Sequence, residues 1–151
     1  MTSSIIFSLI IFIAAAFIFQ ATLGEVICEE LQTNVCSFSI SSSGKRCILE
    51  NQENKHGMVE YECRTSEVVV ERMAEYIETD SCVNACGVDC SSVGISSDSL
   101  LEPQLTAKLC STACNQNCPN IVDLYFNLAT REGVFFPDLC EKQGTHMMFF
   151  L

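Results

Sequence analysis

Residues 109–140 read LCSTACNQNCPNIVDLYFNLATREGVFFPDLC, and the fold turns on this stretch. Cys110 and Cys114 lie four apart, so on a helix they share a face. Cys82 and Cys86, in SCVNACG, repeat the spacing, and Gly87 supplies a stop signal. Two such rows facing each other predict a cross-braced helical hairpin, with the 82/86 pair linked to the 110/114 pair. Cys90 and Cys118 extend the two rows, so the pairing stays open. Pro119 disfavours helical geometry at Cys118 and suits the first turn of a new helix. Beyond it, Ile121, Leu124, Tyr125 and Leu128 make one stripe, which Val122, Phe126 and Ala129 widen. So wide an apolar arc belongs to a buried helix, where each large side chain contributes roughly 1.5–3 kcal/mol. Gly133 ends it, and Phe135, Phe136 and a turn at Pro137 bring Cys140 back to the body.

Working outward, the period changes. In VCSFSI (35–40), Cys36, Phe38 and Ile40 alternate with Val35, Ser37 and Ser39, the pattern of a half-buried strand. Residues 41–44 supply a turn, KRCILE (45–50) returns as a second strand, and MVEYECR (58–64) follows the polar loop NQENKHG as a third. Cys36, Cys47 and Cys63 fall inside these strands. Over 66–80 the reading is an amphipathic helix, with Glu67, Glu71, Glu75 and Glu78 on one face and Val69, Met73, Tyr76 and Ile77 opposite. Val68, Val69 and Val70 would equally suit a strand. The acidic stripe reads as a solvated face, although it offers a dock for a basic partner. The expected class is α+β: a small disulfide-pinned antiparallel sheet in the N-terminal half and disulfide-braced helices in the C-terminal half.

All eleven cysteines follow residue 24, behind the run IIFSLIIFIAAAFIF at 5–19. An apolar core ending at small residues is a secretory signal peptide, here 1–24, although no Lys or Arg precedes it. An uncleaved anchor is the rival, because 5–23 is just long enough to span a bilayer. Both put the cysteines on the lumenal side. The 127 residues beyond the signal suit one domain, read as 25–144 with a disordered tail at 145–151, and cysteine makes up about 9 per cent of them. Disulfides fit an oxidising compartment, and stable membrane insertion after cleavage is not expected. The net charge of −11 argues against nucleic acid, whose phosphates need a basic surface.

No catalytic, cofactor-binding or metal constellation emerges. His56 sits in a polar loop and His146 in the tail, so a Cys–His nucleophile pair is not indicated. The cysteines lack the CxxC spacing of zinc sites. SSSGKRC lacks the phosphate-loop spacing. Lys45-Arg46 is a dibasic pair, but Cys47 and strand pairing would shield it.

The blocks VICEEL, CSFSISSSGKRCILE, YECRTSE, ETDSCVNACG and LCSTACNQNCPNIVDLYFNLATREGVFFPDLCE together resemble the plant photoassimilate-responsive protein family. The resemblance runs over about 25–144. It implies a small secreted protein of the apoplast, tied to sugar and stress responses, and no particular chemistry. It also implies ten shared cysteines, namely Cys28, Cys36, Cys47, Cys63, Cys82, Cys86, Cys110, Cys114, Cys118 and Cys140. Cys90 is then the extra thiol in an odd set, in a polar stretch expected to be exposed. Such a thiol permits a Cys90-linked dimer. The expected function is non-catalytic, through contacts with an unidentified extracellular protein. A carrier of a small apolar ligand and an extracellular hydrolase are the alternatives. Ten cysteines allow about 945 pairings, so connectivity is not deducible from sequence.

If 1–24 is a signal peptide, N-terminal sequencing of the secreted product should start at or near Glu25. A membrane-extracted chain that begins at Met1 would refute this.

Overall fold

The computed structural model describes residues 3–8, 10 and 24–148. Most of the expected signal peptide lies outside the described residues, as do 149–151. Among the described residues no helix is long and apolar enough to cross a membrane.

The fold class is as expected. The N-terminal half is built on a two-stranded antiparallel hairpin, β1 (Lys45–Glu53) and β2 (Val59–Val69). Leu49 faces Cys63 and Glu53 faces Val59 across it. A bulge between Lys45 and Cys47 breaks the register at the base. At the tip the Asn54 side-chain oxygen accepts the N–H groups of His56 and Met58, at 2.9 and 3.0 Å. Cys28, Cys36, Cys47, Leu49 and Cys63 form a small core on one face of the hairpin. Two bridges run through it, Cys28–Cys47 and Cys36–Cys63.

Two expectations in this half are corrected. The first of the three strands, 35–40, is absent. Thr33–Cys36 is a single helical turn (α1), and only an isolated bridge at Ile40 is sheet-like. The alternation misled because both faces are buried: Ser37 and Ser39 lie as deep as Phe38 and Ile40. Phe38 turns out of line with a positive φ of 69°, a conformation that costs a non-glycine residue about 1–2 kcal/mol. The amphipathic helix over 66–80 is also absent. Val68 and Val69 continue β2 to its end instead, and their branched side chains favour that. Val70 then donates its N–H to the Gly44 carbonyl at 2.8 Å. The chain turns through Arg72 and Glu75, both with positive φ. Tyr76 exchanges two backbone hydrogen bonds with Ile40, at 2.8 and 3.0 Å. No acidic helical stripe exists: Glu67 pairs with Lys45 and Glu78 is buried.

The C-terminal half is helical. In chain order it comprises α2 (Asp80–Cys86), α3 (Pro103–Leu109), α4 (Thr112–Asn115), α5 (Pro119–Arg131) and α6 (Phe136–Met148). Thr79 caps α2 by accepting the Cys82 N–H, and Gly87 ends it in the left-handed region at φ 68°. A Cβ on Gly87 would strike the Lys108 side chain, which lies across it. Ile121, Tyr125 and Ala129 of α5 are buried with Leu109 and Phe136. Pro137 sits in the first turn of α6 rather than in a free turn. The helix runs through Met148, so the first four residues of the tail expected to be disordered are helical.

The bridges here are Cys82–Cys118, Cys86–Cys114 and Cys110–Cys140. The expected link between 82/86 and 110/114 is therefore corrected. Two rows of i, i+4 cysteines do face each other, but the second row is 114/118. Cys110 caps the end of α3, and Ser111 restarts the helix as the cap of α4. That break turns Cys110 towards α6.

No bridge joins the halves. Phe38 does so by entering the helical core, with its ring 6.4 Å from that of Tyr125. Beside it, Arg46 of β1 donates to the Asn120 side-chain oxygen at 2.7 Å and to Asp123 at 3.1 Å. The Asn120 amide nitrogen donates to the Phe38 carbonyl at 2.6 Å and to Glu78 at 3.0 Å. Replacing Asn120 with Ala strands a buried carbonyl, a carboxylate and a guanidinium N–H. It should lower stability by about 2–4 kcal/mol, whereas Asp123→Asn at a half-exposed site should cost under about 1 kcal/mol. Denaturant melts of the two oxidised variants check the contrast.

Candidate functional site

The face of the hairpin opposite the small disulfide core looks towards α5. At its base Arg46 closes the gap between the two halves. Further along, the walls part. Ile48, Glu50 and Gln52 of β1 and Val68 of β2 line one wall, and Leu124, Asn127, Leu128 and Arg131 of α5 line the other. The α5 residues recur at helical spacing, so they share one stripe. Between the walls lies a cleft of about 770 Å³, within the usual range of ligand sites. Its third side is the segment from Ser92 to Ile95. That segment is tied down by Ser37, whose N–H donates to the Cys90 carbonyl at 2.9 Å and whose hydroxyl donates to the Ser92 carbonyl at 2.7 Å.

Three charged residues line the cleft, and they differ in state. The Arg46 guanidinium is buried and bound to Asn120 and Asp123. Burial pushes its pKa down, while Asp123 and the nearby Glu78 hold the charge. Glu50 lies 3.7 Å from Arg64 on the opposite strand. Arg131 is exposed and has no ion pair among the described residues. Beneath the cleft, Glu78 accepts the Tyr76 hydroxyl and the Thr79 N–H, both at 3.1 Å. Burial, then the Glu78 charge, raise the Tyr76 pKa. Every buried side-chain nitrogen and oxygen among the described residues has a partner, so this polar seam is a satisfied one.

The residues singled out from sequence lie elsewhere. The ten paired cysteines hold the frame, and of them only Cys47 borders the cleft. His56 is at the hairpin tip, and the side chain of His146 lies outside the described residues. Lys45 pairs with Glu67 at 3.3 Å and Arg46 is buried, so the dibasic pair is structural. No group of three or more His, Cys, Asp or Glu is placed to hold a metal among the described residues. Sequence reasoning passed over Arg46, Asn120 and the cleft. No local signal marked Arg46 as buried: beside Cys47 on a strand it points to the opposite face, and only the approach of α5 covers it there.

Cys90 is the one free thiol among the described residues. It is half-buried, packed against the helical core, and not exposed as its polar neighbours suggested. Burial first, then the charges of Glu78, Asp89 and Asp80, raise its pKa.

A family model described as PAR1 protein, photoassimilate-responsive protein 1, matches residues 26–148. No curated protein and no solved structure matches.

A thiol with raised pKa holds less of the reactive thiolate at neutral pH. Iodoacetamide at pH 7.5 should therefore modify native Cys90 several-fold more slowly than a cysteine in an unstructured peptide. Cys90→Ser should keep all five bridges. Equal rates, or rapid formation of a Cys90-linked dimer in air, would contradict this account of the thiol.

Proposed function

The chain belongs to the PAR1 protein family, and on that premise we propose a secreted, non-catalytic binding protein of plant sugar and stress responses. The observation that carries the reading is the open cleft on a braced frame. Two disulfides fix the hairpin wall and three fix the helical wall. A preformed concave site loses little entropy when it is filled, which is what recognition requires.

Secretion to the apoplast is supported by the bridges, which persist in oxidising compartments, and by the apolar N-terminal run. The link to sugar and stress responses is supported by family membership alone. A non-catalytic role is supported by the lining. Of its three charged groups, Arg46 is paired with Asp123, Glu50 lies 3.7 Å from Arg64, and Arg131 is a guanidinium, which stays protonated and serves as neither general acid nor base. A hydrolase would call for a carboxylate pair or a histidine beside a carboxylate in the cleft, whereas the lining holds the single carboxylate Glu50 and not His56.

The test uses the oxidised protein and Val68→Trp. Val68 is exposed on a strand, so tryptophan suits the backbone and fills the cleft. Both proteins are incubated in plant extracellular fluid and re-isolated, and whatever accompanies them is identified by mass spectrometry. At least one species should accompany the wild type and be lost with Val68→Trp. Identical sets from both proteins would sink the cleft as the binding surface, and accumulation of new products would sink the non-catalytic reading.

A further inference from the structure

We propose that the cleft between the hairpin and α5 takes a small amphipathic carboxylate, with its acid group on Arg131 and its hydrocarbon body against Ile48, Val68, Leu124 and Leu128. The proposal rests on the reading of the cleft as the binding surface and names the chemistry of what fills it.

Two observations carry it. The first is charge. Acids outnumber bases by nineteen to eight in this chain. Of the charged residues lining the cleft, Arg46 is paired with Asp123 at 3.1 Å, and Glu50 lies 3.7 Å from Arg64, which also donates to Glu62. Arg131 is the cation of the lining that has no ion pair among the described residues, and a guanidinium is a forked donor shaped for a carboxylate. The second is apolar exposure on the inner walls. Ile48 and Val68 are 36 % and 52 % exposed, although both line the cleft. Leu124 and Leu128 face them from α5 and are only partly covered. An apolar body between these walls would remove that surface from water.

The head group is narrowed by what surrounds it. A single guanidinium matches a single negative charge. A phosphate carries more than one negative charge and calls for further cations, and the other cation of the lining, Arg46, is already paired with Asp123. The size is narrowed by the volume, which suits a small molecule. Arg131 also lies in the last turn of α5, where a cation interacts favourably with the helix dipole. A loss of stability on substitution would therefore not distinguish the two roles, and the experiment must read charge selectivity in binding.

Octanoate and octanol share a hydrocarbon body and differ in charge. Calorimetric titration of the oxidised protein should show octanoate binding about tenfold more tightly than octanol, the scale of a hydrogen bond to a charged group. Arg131→Gln should bring the two to parity by weakening octanoate alone. Val68→Trp should weaken both. Equal affinities in the wild type, unchanged selectivity in Arg131→Gln, or no binding of either ligand would overturn the proposal. If octanoate fails while Val68→Trp still loses a species from extracellular fluid, the cleft remains a binding surface and the ligand class falls. If Val68→Trp changes neither, both readings fall together.

Discussion

The guanidinium of Arg46 crosses from the hairpin into the first turn of α5, and the relation between the two halves depends on it. Its partner Asn120 is a double adaptor. Its oxygen accepts Arg46 and its nitrogen serves the Phe38 carbonyl and Glu78. Four segments distant in sequence thus meet at one amide. Pro119 begins α5 and fixes where that amide stands. Burying an arginine is unfavourable unless its donors are met. Here they are met by Asn120 and Asp123, and the geometry that meets them also sets the spacing of the cleft walls.

The strain at Phe38 belongs to the same seam. A left-handed φ at a bulky residue persists only where surrounding contacts outweigh it. Here the ring fills the helical core beside Tyr125 while the carbonyl is held by Asn120. Burial of a phenylalanine side chain outweighs a backbone cost of about 1–2 kcal/mol. The hairpin half therefore contributes a residue to the helical core, and the boundary between the halves is interlocked.

The parts legible in sequence are those that local rules decide. The apolar arc of α5, the stop at Gly87 and the start at Pro119 follow from periodicity and backbone chemistry. The hairpin follows from the strand-forming runs KRCILE and MVEYECR on either side of the polar loop NQENKHG. The parts that were not legible are decided by distant contacts. Residues 35–40 alternate as a strand does, yet both faces are covered by other segments, so the alternation carried no information about hydrogen bonding. Over 66–80 the helical spacing of the acids was real as arithmetic, but Val68 and Val69 in β2 and the bridge of Tyr76 to Ile40 prevailed. The cysteine rows were read correctly as facing rows and one step out of register, because the stop at Cys110 is set by the cap at Ser111. The cleft was invisible because its two walls come from chain segments that no local pattern relates.

The partition of the disulfides has a consequence for how the chain acquires its bonds. The first four bridged cysteines close among themselves, and the last six do likewise. Four cysteines have three possible connectivities and six have fifteen, so two independent searches span about 45 combinations, against about 945 for ten cysteines treated as one set. Every cysteine of the first group also precedes every cysteine of the second. If the chain is translocated into an oxidising compartment from its N-terminus, the hairpin bridges can be completed before the helical cysteines arrive. Thiol–disulfide exchange is then largely confined to partners made close together in time, and the order of synthesis itself guards against mispairing.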